Sequence, residues 1–145
     1  METGFNQLNI VSDDLEATVA FYRRLGVPMR KPFRSPSGRP YHSSNDAKGG
    51  PLLEADSPAF ARTWNAGWKD EEELSGRIVI GIAVPSRAEV DRLYAEVVAA
   101  GHRGLQPPYD AFWGARHAIV EDPNGLAVGL MSPADGEHRP PPRVD

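Results

Sequence analysis

The chain has 145 residues, a net charge of −4 and no cysteine. That length fits one domain, or two very small modules sharing a core, and the lack of cysteine excludes disulfides, thiolate metal sites and cysteine nucleophiles. No basic stripe suited to nucleic acid appears, and no apolar run approaches the roughly 18 to 20 residues of a membrane span.

Met1-Glu2-Thr3-Gly4 has neither the basic flank nor the apolar stretch of a signal peptide, so a cytoplasmic location is expected. Small molecules, rather than nucleic acid or membrane, are the expected partners.

Phe5 to Val11 reads as a strand, with Phe5, Leu8, Ile10 and Val11 supplying β-compatible apolar bulk. Ser12-Asp13-Asp14 marks a helix start, and Asp13 with Glu16 has capping-box spacing. Leu15, Val19, Tyr22 and Leu25 fall on one helical face, and Gly26 with Val27-Pro28 ends the helix. Prolines and glycines then punctuate three short expected strands, around Met29 to Arg34, Arg39 to Ser44 and Leu52 to Ala55. Ser57-Pro58 opens a short helix carrying Phe60 and Trp64, with Trp68 following, and Asp70 to Glu73 reads as a solvated linker.

Arg77 to Val84 is the next expected strand. Ser86 and Glu89 form a capping box, and Val90, Leu93 and Val97, with Tyr94 and Val98, make the buried face of a second long helix ending at Ala100-Gly101. Short strands are expected near Gly104 to Leu105, Ala115 to Glu121 and Leu126 to Met131, the last two joined by the turn Asp122-Pro123-Asn124-Gly125. Beyond Pro133 the polar, proline-rich tail, residues 134–145, is expected to be disordered.

Strand, capped helix and three strands thus occur twice, at an offset of about 75 residues. The expected fold class is α+β: two βαβββ modules, 5–56 and 77–132, within one domain over 1–133. They would form a concave mixed sheet with the helices on its outer face.

Ile10-Val11-Ser12-Asp13-Asp14-Leu15-Glu16 leading into Phe21-Tyr22 and Leu25-Gly26 resembles the vicinal oxygen chelate superfamily, which includes glyoxalases, extradiol dioxygenases and bleomycin-resistance proteins. The second half resembles it more closely, in Ala83-Val84-Pro85-Ser86, Val90-Asp91, Trp113-Gly114-Ala115-Arg116 and Asp122-Pro123-Asn124-Gly125. The resemblance covers residues 5 to 132 and names no single reaction, because one fold hosts many.

It implies four positions for the ligands of one divalent metal: Gln7, Glu54, Val79 and Gly129. Val79 has no donor atom and Gly129 no side chain. Arg77 to Val84 contains no His, Asp, Glu, Asn or Gln, and Leu126 to Ser132 contains no His or carboxylate, so sliding the alignment within either strand restores nothing. A catalytic metal wants about three protein ligands. The expectation is therefore no metal and no cofactor.

Strand alternation gives the inner face instead. Gln7 would share it with Phe5, Asn9 and Val11; Val79 with Gly81 and Ala83; Gly129 with Ala127 and Met131, while Ile78, Ile80 and Ile82 back onto a helix. Small residues would leave a hollow there, or be filled in by neighbours. Trp64, Trp68, Tyr109, Phe112 and Trp113 either stack a flat ligand beside it or pack a core or dimer interface. Arg116 either offers a fork to a ligand carboxylate or carbonyl, or pairs with Glu121 or Asp110. His138 and His102 read as solvent-facing or structural; His42 or His117 could act as a base beside Glu54.

The residues expected to bind a ligand are thus Gln7, Asn9, His42, Glu54, Trp64, Val79, Phe112, Trp113 and Arg116. The leading expectation is a metal-free homodimer that sequesters a small aromatic or antibiotic-like molecule, as bleomycin-resistance proteins do. The alternative is a metal-independent isomerase, cyclase or lyase using His and Glu. A third reading is a displaced metal site of Gln7, Glu54 and His42 or His117.

Overall fold

A computed structural model describes residues 7–46, 48, 50–64 and 78–141. The chain divides into two compact units, Met1–Glu73 and Leu74–Asp145. The first holds β1 (Gln7–Val11), α1 (Leu15–Arg24), β2 (Phe33–Arg34), β3 (Pro40–Ser44), β4 (Leu52–Asp56) and α2 (Pro58–Trp64). The second holds β5 (Val79–Ala83), α3 (Arg87–Ala99), β6 (Gly104–Asp110), β7 (Arg116–Glu121) and β8 (Ala127–Met131). Each unit has a four-stranded sheet, ordered β1-β4-β3-β2 in one and β5-β8-β7-β6 in the other. In both, the first and last strands pair in parallel and the other pairs run antiparallel. The fold is α+β, built from two βαβββ modules.

The helical stripes explain where each core sits. Leu15, Val19, Tyr22 and Leu25 are all buried, and Phe21 meets Tyr22 edge-on at 5.1 Å. In the second unit Val90, Leu93 and Val97 are buried along with Ala118, Val120, Val128 and Leu130 from the sheet. Val98, expected on that face, is exposed instead, one residue round the helix from Val97. Half of the α3 capping box forms: Ser86 Oγ accepts from Glu89 N at 3.2 Å, while the Glu89 carboxylate takes Arg92. The α1 cap moves by one residue, because Asp14, not Asp13, accepts from Ala17 N at 3.0 Å. Ser12 is buried beneath it, its hydroxyl paired with Thr18 Oγ1 at 2.8 Å.

Two expectations in the second unit change. β6 runs on to Asp110 through Pro107 and Pro108, where the sequence reading stopped at Leu105. Proline donates no ladder hydrogen bond, yet β6 is an edge strand with two register shifts, the places where a sheet tolerates that loss. The tail expected to be disordered is held as far as Arg139. Gly136 N donates to Gly114 O at 2.9 Å and Arg139 N to Phe112 O at 2.8 Å, with Trp113 and His138 bridged. Gly114 permits this approach: its φ is +89°, and a β-carbon there would lie 2.7 Å from His138 Nε2.

Phe5, Trp68, the Asp70 to Glu73 linker and Arg77 lie outside the described residues. Among the described residues no helix is long and apolar enough to cross a membrane.

Candidate functional site

The N-terminal sheet gathers polar side chains onto one face by register. Parallel pairing sets Asn9 opposite Glu54, and antiparallel pairing sets His42 opposite Asp56. Alternation then adds Gln7, two residues before Asn9. Helix α2 adds Phe60 from its first turn and Trp64 from its end. Together these seven residues line a cleft of about 290 Å³.

A chain of hydrogen bonds joins its polar floor. Gln7 Nε2 donates to Asn9 Oδ1 at 2.9 Å, and Asn9 Nδ2 donates to Glu54 Oε2 at 2.8 Å and to Asp56 Oδ2 at 3.3 Å. His42 Nδ1 lies 2.5 Å from Asp56 Oδ1. An ionised carboxylate only accepts, so Nδ1 carries the proton and a neutral imidazole turns the lone pair of Nε2 outward. Among the described residues Nε2 meets no hydrogen-bond partner. The Asp56 side chain is 2% exposed and that of His42 21%, so the pair is anchored in the protein and open at its tip. Aromatic rings flank the imidazole: Phe33 stacks on it at 6.0 Å and 18°, and Phe60 meets it at 5.6 Å and 63°.

Five of the nine residues expected to bind a ligand, Gln7, Asn9, His42, Glu54 and Trp64, therefore meet in one cleft. Asp56, Phe60 and Phe33 were missed. Asp56 was within reach, being two residues beyond Glu54 and so on the same face of the strand.

Val79, Phe112, Trp113 and Arg116 belong to the second unit. There His117 is the organising side chain. Its Nδ1 lies 3.1 Å from the Tyr109 hydroxyl, and its ring meets Trp113 at 5.6 Å. Its Nε2 lies 3.3 Å from where a β-carbon on Gly129 would be, so the imidazole fills the space over that glycine. Ala127 and Gly129 are correspondingly buried, filled in by a neighbour, while Val79, Gly81, Ala83 and Met131 stay exposed and a β-carbon on Gly81 would meet open space. Arg116 is not free for a ligand: its Nε donates to Asp91 at 2.9 Å and its Nη1 to Asp110 at 3.2 Å. Hydrogen bonding to Asp91, ahead of its other partner, holds its pKa above the ordinary arginine value. Asp110 is one of the two partners the sequence offered; Glu121 pairs with Arg103 instead.

Burial pushes the His117 imidazolium below the ordinary histidine pKa of 6.5. The unfolded chain therefore takes up this proton first as pH falls. The stability it contributes is complete above about 6.5 and is lost as pH drops from there through the lower folded value. His117→Gln is expected to flatten the fall in melting temperature between pH 7 and pH 5 relative to the unaltered protein. Identical pH profiles would contradict this.

The arrangement matches known proteins at the level of family. A family model described as the glyoxalase/bleomycin resistance protein/dioxygenase superfamily matches residues 4–130. The chain belongs to that superfamily. A glyoxalase/bleomycin resistance protein/dioxygenase from Nocardioides is 23% identical, aligned over 100% of this chain and 91% of its own, with a TM-score of 0.69. A family enzyme from Burkholderia phytofirmans is 20% identical over 88% of this chain and 96% of its own, with a TM-score of 0.73. A lactoylglutathione lyase from Agrobacterium tumefaciens is 20% identical over 92% and 96%, with a TM-score of 0.63. These likenesses show the fold. No curated protein matches the chain's sequence.

The superfamily's metal positions can now be compared between units. The pair Asn9 and Glu54, opposed on β1 and β4, corresponds in the second unit to Gly81 and Gly129, opposed on β5 and β8. Gln7, at the start of β1, corresponds to Val79, at the start of β5. At these positions the first unit offers one amide and one carboxylate, Gln7 and Glu54, and the second, with Val79 and Gly129, offers no side-chain donor. The residues do not fit a metal held from these four positions.

Proposed function

We propose that this superfamily member binds and sequesters a small aromatic molecule in the N-terminal cleft through its own side chains, without a metal. One observation carries the reading: the cleft joins a hydrogen-bonded polar floor, Gln7-Asn9-Glu54-Asp56-His42, to the aromatic side chains Phe60 and Trp64. Apolar walls supply affinity and a few fixed polar groups supply orientation, the usual division of labour in a ligand pocket. The role resembles that of bleomycin-resistance proteins.

Trp64, 48% exposed at the edge of the cleft, is the natural reporter. Titrating a broad panel of small aromatic compounds should change tryptophan fluorescence saturably, and Trp64→Phe should remove most of the change. A panel that leaves the fluorescence of the unaltered protein flat would overturn the proposal.

The His42–Asp56 pair favours a second reading, a metal-independent isomerase, cyclase or lyase. A buried carboxylate that fixes the imidazole tautomer leaves Nε2 poised to take a proton from a bound molecule. The imidazolium so formed would return the proton to another atom of the same molecule, beside the Glu54 carboxylate. Turnover lost in His42→Gln and Glu54→Gln, with binding kept, would select this reading.

A cytoplasmic homodimer belongs to the same proposal. The cysteine-free chain suits a reducing compartment, and Val79 and Met131 leave apolar surface for a second copy. Sedimentation should give twice the chain mass; a monomer at micromolar concentration would refute this part.

A further inference from the structure

We infer that the N-terminal cleft selects an organic cation bearing several N–H donors, such as an amidinium, on a flat aromatic body. This rests on the cleft being a ligand site at all, and it concerns which chemistry that site accepts.

The argument is an inventory of donors and acceptors. The donors of the floor are spent internally. Both N–H groups of Asn9 go to carboxylates, and the Nδ1 proton of His42 goes to Asp56. Gln7 gives one N–H to Asn9 and keeps one, at the exposed end of β1. The orientations are forced, because a carboxylate can only accept and so each amide and imidazole must turn an N–H toward it. What remains facing the cleft accepts. Among the described residues, Glu54 Oε1, His42 Nε2 and Gln7 Oε1 have no hydrogen-bond partner.

Charge points the same way. Glu54 and Asp56 line the cleft, and among the described residues no lysine or arginine lines it. An anionic ligand would bring a negative charge to two carboxylates and find one N–H to receive it. A neutral donor would satisfy the acceptors but leave the charge of Glu54 without a counterpart. A cation with several N–H groups does both, and Phe60 and Trp64 add ring faces that attract it. Guanidinium-like and amidinium groups also match a carboxylate with two parallel N–H bonds. His42 joins this set in its neutral form, where Asp56 holds the proton on Nδ1 and leaves Nε2 as the acceptor.

The test uses three probes of one shape: benzamidinium, benzamide and benzoate. Each is titrated into the full chain by calorimetry, with amide chemical shifts recorded in parallel and a set of neutral aromatic fragments run alongside. Benzamidinium should bind at least tenfold more tightly than benzamide, with shifts at Asn9, His42 and Glu54, and benzoate should show no binding. Glu54→Gln should erase the preference. The comparison in the unaltered protein stands by itself if that variant does not fold. Benzoate or benzamide binding as tightly as benzamidinium would overturn the inference, and so would a preference that survives Glu54→Gln. Neutral fragments binding the cleft without a cation preference would sink the inference alone. No binding at the cleft by any probe or fragment would sink it together with the proposed function.

Discussion

Asp56→Ala is expected to weaken binding in the N-terminal cleft by about 5- to 150-fold, the free-energy equivalent of roughly 1 to 3 kcal/mol for stranding buried hydrogen-bonding groups. The carboxylate is buried and receives His42 Nδ1 and Asn9 Nδ2. Without it the tautomer that presents Nε2 loses its partner among the described residues, and the Asn9 N–H groups keep only Glu54. The ring remains flanked by Phe33 and Phe60, so its orientation loosens while its position is kept. Nitrogen-15 spectra of the imidazole read this without any ligand. The unaltered protein should carry its proton on Nδ1, and Asp56→Ala should shift the population toward Nε2. Asp56→Asn should fall between the two. Unchanged affinity together with an unchanged tautomer in Asp56→Ala would contradict the assignment.

Leu130→Ala should cost about 2 to 5 kcal/mol, the range for truncating a buried leucine. Against a total stability of roughly 5 to 15 kcal/mol for a small domain, that is a large share. Leu130 is wholly buried in β8, the strand between β5 and β7. Its neighbour Met131 points to the other face and is 44% exposed. Met131→Ala should stay within about 0.5 kcal/mol, as surface changes do. Urea denaturation of the two variants tests the register directly, because a slip of one residue would exchange their faces. Equal losses would contradict the strand pairing described for β8.

The sequence was most readable where chemistry is local. Helix α3 shows its cap in Ser86 and Glu89 and its buried stripe at helical spacing. The turn at Asp122 to Gly125 is legible for the same reason: Asp122 Oδ1 accepts from Asn124 N at 2.8 Å and Leu126 N at 2.9 Å, and Gly125 takes a φ of +82°. Five of the seven cleft residues are legible, Gln7 and Asn9 because alternation on β1 carries them to one face.

What escaped depends on distant partners. Arg116 is claimed by Asp91, 25 residues away on α3, and no local pattern reveals that pairing. Asp56 escapes because Ser57-Pro58 reads as a helix start and the expected strand ends at Ala55. His117 covers Gly129 across a strand pair and fills the space over that glycine, leaving Gly81 open. The tail's composition reads as disorder, and composition does not show the backbone groups of Phe112 and Gly114 that hold it.

The most direct test of a side-chain-held ligand is to titrate the tightest binder from the aromatic panel into full-length protein with and without excess chelator, following amide chemical shifts. The expected result is one affinity in both conditions, with the largest shifts at Asn9, His42, Glu54, Asp56 and Trp64. Affinity lost on chelation and restored by a divalent ion, or shifts confined to β5 and β8, would contradict it.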